Sequence, residues 1–129
     1  MALTAIEGIR YYREQMNKEN VADINRLVAD DFFAVFSLGK NRNIETYDAE
    51  HYRSGNLEVF KLYEGKNPVW DYTDFQLGQR FDDEVIVSSQ IDFFLDGHLL
   101  MKALCTEVYR EESGEWKLAR QYMEKFKPM

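Results

Sequence analysis

Residues 68–128 decide the fold of this chain and read PVWDYTDFQLGQRFDDEVIVSSQIDFFLDGHLLMKALCTEVYREESGEWKLARQYMEKFKP. Short turn sequences divide this stretch at Asp82-Asp83, Asp96-Gly97 and Glu112-Ser113-Gly114. The segments between the turns are rich in β-branched and aromatic residues, which is typical of strands. The stretch therefore predicts four consecutive antiparallel strands joined by hairpins.

Residues 1–67 instead predict helices and one short strand pair. Thr4 and Glu7 have the spacing of a capping box, which starts a helix, while Asn20 and Asp48 are good caps for two more. The predicted elements are a helix to about Lys18, a helix from Asn20 to about Asp30, a strand from Phe32 to Leu38, a turn over Gly39-Lys40-Asn41, a strand from Asn43 to Tyr47 and a helix from Asp48 to about Tyr63.

This order of elements predicts the fold class. A curled antiparallel sheet that is closed by N-terminal helices forms a cone with a hollow mouth. We therefore expect an α+β fold, in which a curved mixed or antiparallel sheet packs on three N-terminal helices and encloses a pocket. No repeat, linker or low-complexity tract interrupts the chain, so residues 1–129 are expected to form a single domain.

Composition and charge exclude several functional classes. The net charge of −7 disfavours nucleic acid as a partner, because such binding needs clustered Lys and Arg. A single cysteine, Cys105, excludes an internal disulfide and fits a reducing compartment. No signal peptide or membrane helix is recognisable, so a soluble cytoplasmic protein is expected. His51 and His98 lack companions at ligand spacing, so neither a metal nor a cofactor is expected.

Turn geometry predicts the register of the two C-terminal hairpins. Asp96-Gly97 is typical of a two-residue type I′ turn, and Glu112-Ser113-Gly114 is interpreted as a three-residue turn. A slide by one residue in the second hairpin would place Arg110 opposite Lys117, which is a pair of like charges. The predicted pairs are Leu95–His98, Phe93–Leu100, Ile91–Lys102 and Ser89–Leu104, followed by Glu111–Glu115, Val108–Leu118, Thr106–Arg120, Leu104–Tyr122 and Lys102–Glu124.

In this register Arg120 is the most specific candidate for a binding residue. It would lie between Thr106 and Tyr122 on the face assigned to the cavity, where a guanidinium can orient a carboxylate or an enolate. An ion pair with a buried acid such as Glu124 or Asp74 is the alternative. The opposite assignment of the two sheet faces also stays open, and so does the register of the strand from Trp70 to Phe81.

Other candidates are acids and phenols on the same face. Glu124 beside Lys102 could move a proton at the pocket mouth, although such cross-strand pairs are more often rim salt bridges. Tyrosine hydroxyls could donate hydrogen bonds into the cavity. The predicted site thus has Glu124 as its catalytic residue and Arg120, Tyr122, Tyr12, Thr106, Lys102 and Ser89 as its ligand-binding residues.

The element order resembles that of the nuclear transport factor 2-like superfamily, also called cystatin-like. The segments that carry the resemblance are ADDFFAVFSLGK (residues 29–40) and TEVYREESGEWKLARQY (residues 106–122). It looks most like small bacterial SnoaL-like and ketosteroid isomerase-like members of unknown function. The resemblance implies a cone with a cavity and frequent homodimers through the outer sheet face. It also implies functions that range from isomerases and dehydratases to binding and scaffold domains.

Three interpretations of the function follow. The first is a domain that binds a small apolar carbonyl or carboxylate compound and could act as an isomerase or dehydratase. The second is a non-catalytic dimeric binding or scaffold module; the small subunit of a multicomponent oxygenase is a third. An enzyme of this kind needs an open cavity with a carboxylate inside it, whereas a scaffold needs neither.

Overall fold

The structure, a computed structural model, describes residues 4–37 and 44–128. These residues contain three helices and six strands. In chain order they are α1 (Ala5–Asn17), α2 (Val21–Arg26), β1 (Val28–Ser37), β2 (Ile44–Asp48), α3 (Ala49–Leu62), β3 (Val69–Phe81), β4 (Glu84–Leu95), β5 (His98–Glu112) and β6 (Glu115–Pro128). The turn predicted at Gly39-Lys40-Asn41 lies outside the described residues.

The six strands form one mixed sheet that does not close into a barrel, in the order β2-β1-β6-β5-β4-β3. Strand β1 runs parallel to β6, and all other neighbouring strands are antiparallel. The predicted α+β class, with three helices packed on a mixed sheet, is confirmed. None of the helices in the described ranges is long and apolar enough to cross a membrane.

The helix starts follow the local sequence. The Thr4 hydroxyl accepts from the Glu7 amide, and the Glu7 carboxylate accepts from the Thr4 amide at 3.0 Å, so the predicted capping box is confirmed. The Asp48 side chain likewise accepts from the His51 amide at 2.9 Å. Helix α2 is shorter than predicted and ends at Arg26.

The early end of α2 has a tertiary cause. The carbonyl of Leu27 accepts from the Leu118 amide at 2.7 Å, and Val28 already pairs with β6. Val28 and Ala29 are both buried as the start of β1. The predicted continuation of the helix to Asp30 is therefore wrong, because pairing with a strand far along the chain overrides the local helical pattern.

The first hairpin contains a bulge that its turn does not reveal. Leu95 pairs with His98 as predicted, but Phe93 then pairs with Met101, so Leu100 is an extra residue in β5. From that point the pairing shifts by one residue, and Ser89 lies opposite Cys105. In this hairpin the predicted pairs Phe93–Leu100, Ile91–Lys102 and Ser89–Leu104 are wrong for this reason.

The second hairpin has a two-residue turn at Ser113-Gly114, where both residues have positive φ. Arg110 consequently lies opposite Lys117, the pair of like charges that the predicted register avoided. The carboxylate of Glu112 lies 3.2 Å from Arg110 Nη1 and 3.6 Å from Lys117 Nζ. One acid thus compensates both cations, and the electrostatic objection to this register disappears. A further bulge at Ala119 shifts the rest of β6.

Helix α1 packs unusually close to the sheet at Gly8. A Cβ atom on Gly8 would lie 2.5 Å from the Cβ of Trp116 and 2.6 Å from its Cδ1. The Trp116 Cβ is fixed to the backbone of β6, so it cannot rotate away. Glycine at this position therefore sets the distance between α1 and the sheet.

We predict that Gly8→Ala destabilises the fold, because overpacking of this kind costs about 1–3 kcal/mol and exceeds the gain in helix propensity. Gly55→Ala is the matched control, since nothing lies within 4 Å of the Cβ it would add. That control should stabilise the protein by about 0.5–1 kcal/mol. Urea unfolding of both variants measures the difference, and a neutral Gly8→Ala would contradict the close contact.

Candidate functional site

A partly open cavity of about 200 Å³ lies between α1, α3 and the inner face of the sheet. Its wall is mostly aromatic and apolar. Ring centroids are 5.3 Å apart for Phe60 and Trp70, 4.8 Å for Trp70 and Phe93, and 5.1 Å for Tyr63 and Phe93. These four rings contact one another in sequence and present a continuous aromatic wall, which suits a flat apolar ligand.

A chain of hydrogen bonds forms the polar side of the cavity. The Tyr52 hydroxyl donates to Gln121 Oε1 at 2.9 Å, and Gln121 Nε2 donates to Glu107 Oε2 at 2.7 Å. The Tyr109 hydroxyl donates to Glu107 Oε1 at 3.1 Å. Tyr52 comes from α3, Gln121 from β6, and Glu107 and Tyr109 from β5. The chain therefore connects the helical layer with the centre of the sheet.

Glu107 is the buried acid at the end of this chain, with only 1% of its surface exposed. Burial raises its pKa, an effect that the nearby Arg13 guanidinium opposes. Arg13 is itself held by two hydrogen bonds of 2.9 Å to Asp74, and it stacks on the Tyr72 ring with its guanidinium carbon 4.3 Å from the centroid. This fixed cation reduces the cost of an ionised carboxylate inside the protein.

The cavity wall itself contains no carboxylate among the described residues. Glu107 lies behind Gln121 and does not line the cavity. Lys125 is the one charged side chain of the described wall, and it is partly exposed. A ligand in the cavity would thus meet tyrosine hydroxyls, amides and one ammonium group, rather than an acid.

Among the described residues of the wall, only Tyr12 has a buried hydroxyl without a hydrogen-bond partner. It is 1% exposed, it lies beside Tyr52, and its hydroxyl makes no hydrogen bond of acceptable geometry there. Burial raises the pKa of Tyr12, so its hydroxyl keeps its proton. Its ring contacts Tyr109 edge to face at 5.9 Å between centroids. A buried hydroxyl without a partner costs about 1–3 kcal/mol, and a ligand could provide that partner.

Two of the seven predicted site residues lie on the inner side of the sheet. Tyr12 lines the cavity, and Ser89 is fully buried on the face of β4 that carries Val87 and Ile91. The Ser89 hydroxyl also lacks a partner among the described residues. A role for either residue in ligand binding stays a prediction.

The other five lie on the outer face, because the bulge at Leu100 reverses the inward alternation of β5 and the bulge at Ala119 reverses that of β6. Lys102 Nζ lies 3.8 Å from Asp92 instead of facing Glu124, which lies opposite Leu104. Their predicted placement in the interior is wrong, whereas their roles stay predictions. The outward-facing residues are Arg120, Tyr122, Thr106, Lys102 and Glu124.

Arg120 is held by the backbone rather than by a buried acid. Its Nη1 donates to the carbonyls of Asp31 at 2.8 Å and Ala119 at 2.6 Å, and its Nη2 lies 4.0 Å from the Asp31 carboxylate. Three of the other outward residues line a broad groove of about 500 Å³ on the outer face, namely Thr106, Tyr122 and Glu124.

Sequence reasoning missed Tyr52, Gln121 and Glu107. A signal for Glu107 exists, because it alternates with Ala103, Cys105 and Tyr109 and is thus an acid flanked by uncharged residues in the middle of its strand face. Such an acid is a functional candidate once the register is known. Gln121 and Tyr52 have no comparable signal, because their role depends on contact with residues distant in the sequence.

We predict opposite effects on stability for two buried tyrosines. Tyr12→Phe should stabilise the ligand-free protein by about 1 kcal/mol, because it removes an unpaired buried hydroxyl. Tyr109→Phe should cost about 1–3 kcal/mol, because it removes a donor from buried Glu107. Urea unfolding of both variants tests this. Equal losses would show that the Tyr12 hydroxyl has a partner.

Comparison with known proteins supports the fold. No family model and no curated protein matches the sequence. The structure is similar to a candidate calcium/calmodulin-dependent protein kinase type II association domain from Thiobacillus denitrificans, with 14% identity over 98% of both chains and a TM-score of 0.76. A nuclear transport factor 2-like protein of unknown function from Pseudomonas putida has 12% identity, covers 92% of this chain and 81% of its own, and gives a TM-score of 0.71.

A third similar structure is a ketosteroid isomerase-like protein from Erwinia carotovora. It has 18% identity over 95% of this chain and 93% of its own, with a TM-score of 0.65. Identities this low establish architecture and leave activity open. The chain has the nuclear transport factor 2-like fold, as the resemblance in its sequence implied.

Proposed function

We propose that this domain binds a small, largely apolar ring compound in the interior cavity through a neutral oxygen atom of the ligand. The observation that carries the proposal is the buried, unpaired hydroxyl of Tyr12 at the wall of an otherwise aromatic cavity. Pockets that recognise small molecules combine apolar walls with a few convergent polar groups. The Phe60, Trp70 and Phe93 rings supply the apolar wall here.

Size limits the ligand to about one ring. The cavity holds about 200 Å³, which is below the roughly 300–1,000 Å³ of sites for drug-sized molecules. At about 30 Å³ for each water molecule, it has room for roughly six or seven. A single substituted benzene ring therefore suits the cavity, whereas a fused four-ring steroid does not.

The wall favours binding over acid–base catalysis. Glu107 is separated from the cavity by Gln121, and no carboxylate lines the described wall. The outward position of Arg120 also removes the cation on which recognition of a carboxylate was predicted. A neutral carbonyl or hydroxyl oxygen therefore fits the polar side best, so we propose a binding domain rather than an isomerase or dehydratase.

A pair of tryptophan substitutions on α3 tests the proposal. Val59 lines the cavity and is 38% exposed, so Val59→Trp should fill the cavity without disrupting the fold. Leu57→Trp is the matched control, since Leu57 is 56% exposed and lies outside this cavity. The probes are acetophenone and 4-ethylphenol, each with one ring and one neutral oxygen.

At about ten times its Kd, a probe should stabilise the wild type and Leu57→Trp by about 1.4 kcal/mol, seen as a higher melting temperature. Val59→Trp should lose this effect. Binding that survives in Val59→Trp would place the ligand elsewhere, and an absence of any shift with the wild type would refute the proposal.

A second proposal concerns assembly. We propose that the outer sheet face joins two copies of this chain, which is supported by large exposed apolar side chains around the outer groove. Phe75, Leu104 and Tyr122 are 58%, 44% and 42% exposed there. Contiguous exposed apolar surface of this kind marks interaction sites. The likeness to a candidate association domain also supports assembly, because that neighbour has the same architecture.

Leu104→Glu should convert a dimer into a monomer, because it places a charge in the middle of this apolar face. Leu57→Glu on α3 is the control, and it should leave the dimer intact. Light scattering after size exclusion measures the mass against the 15.3 kDa of one chain. A wild type that is already monomeric at high concentration would exclude this assembly.

A further inference from the structure

The hydrogen-bond chain beside the cavity has a defined direction, which limits what Tyr52 can offer a ligand. Gln121 Nε2 donates to Glu107 Oε2 at 2.7 Å, so the other end of the amide, Oε1, faces Tyr52. The Tyr52 hydroxyl donates its one proton to that oxygen at 2.9 Å. Tyr52 therefore has only lone pairs left, and it can accept a hydrogen bond from a ligand but cannot donate one.

Tyr12 offers the complementary group. Its hydroxyl is buried and lies close to that of Tyr52, but no hydrogen bond of acceptable geometry joins it to that oxygen or to any other described residue. Its proton is thus uncommitted, and Tyr12 can donate to a ligand oxygen. The polar side of the cavity consequently presents one acceptor and one donor next to each other.

We propose that the cavity selects a ligand hydroxyl, as in a phenol, over an ether or ketone oxygen of the same size. This inference rests on the proposed binding function of the cavity. A hydroxyl donates its proton to Tyr52 and accepts from Tyr12, so it satisfies both groups. An ether or ketone satisfies Tyr12 alone and leaves the Tyr52 lone pair buried without a partner, which is unfavourable.

Charged head groups fit this pair less well. A carboxylate has no proton for Tyr52 and would be buried near the Glu107 carboxyl, where the nearby cation, Arg13, is already paired with Asp74. An ammonium group would share the cavity with Lys125, which carries the same charge. A neutral hydroxyl avoids both costs.

The direction of the chain depends on where Glu107 carries a proton. With Glu107 ionised, or protonated on the oxygen that faces Tyr109, Oε2 still accepts from Gln121 and the argument holds. A proton on Oε2 would instead be donated to Gln121 and would reverse the amide. Tyr52 would then have a free proton, and the cavity would prefer acceptors. The two directions therefore predict opposite selectivity.

An isomeric pair of probes distinguishes them. 4-Ethylphenol and 4-methylanisole have the same atoms, but only the phenol can donate a hydrogen bond. Isothermal titration or NMR titration of the wild-type protein should give a Kd for 4-ethylphenol that is about tenfold lower than that for 4-methylanisole, since tenfold corresponds to about 1.4 kcal/mol. The Kd for acetophenone should be similar to that for 4-methylanisole.

Tyrosine variants assign the selectivity to its source. Tyr52→Phe should reduce the ratio of the two Kd values to about one, because the acceptor is lost. Tyr12→Phe should weaken both probes. Tyr11→Phe is the control, since Tyr11 lies outside this cavity and its hydroxyl donates to Asp23 at 2.8 Å, and it should leave the ratio unchanged.

The ratio of the two Kd values for the wild-type protein tests the proposed selectivity even where a variant does not fold. Equal affinities, or a preference for the ether or ketone, would overturn the selectivity while leaving the binding function intact. A wild type that binds none of the three probes would overturn both proposals.

Discussion

One extra residue in β5, Leu100, governs which side chains of the sheet face the helices. Side chains alternate between the two faces of a strand, so a single inserted residue moves every later side chain to the other face. Glu107 and Tyr109 thereby face the helices, while Thr106 faces outward. The bulge at Ala119 does the same for β6 and directs Gln121 inward. The cavity wall and the polar chain behind it both depend on these two insertions.

Ionising the buried Glu107 carboxyl costs stability, which explains why several polar groups surround it. Burial raises the pKa of Glu107, so the folded state holds this proton more tightly than the unfolded chain does, and ionisation lowers stability as the pH rises above the ordinary value of 4.5. Donors from Tyr109 and Gln121 and the charge of Arg13 reduce this cost. Arg13 can do so because Asp74 and the Tyr72 ring hold its guanidinium in place. The acid is therefore supported from three elements, α1, β5 and β6.

The sequence alone predicts the helix caps and turns that depend on residues close together in the chain. The capping box at Thr4, the Asp48 cap and the Asp96-Gly97 turn depend on residues within a few positions of one another, and the structure confirms all three. The end of α2 and the bulge at Leu100 depend instead on partners far along the chain. The second turn shows a further difficulty, because a like-charge pair that looked unfavourable is compensated by Glu112, which no pairwise rule considers. Register, and with it most of the site, could not be predicted for these reasons.

The bulges also separate the two proposed activities. Tyr12 and Gln121 belong to the inner side, where a ligand would bind, while Leu104 and Tyr122 belong to the outer side, where a second copy would dock. Neighbouring residues in β6 thus serve different surfaces, and the thickness of one sheet lies between them. Apart from Met123, which lines both sites, the cavity and the outer groove are lined by different residues. A ligand could therefore occupy each protomer of an assembled dimer without disturbing the contact between the copies.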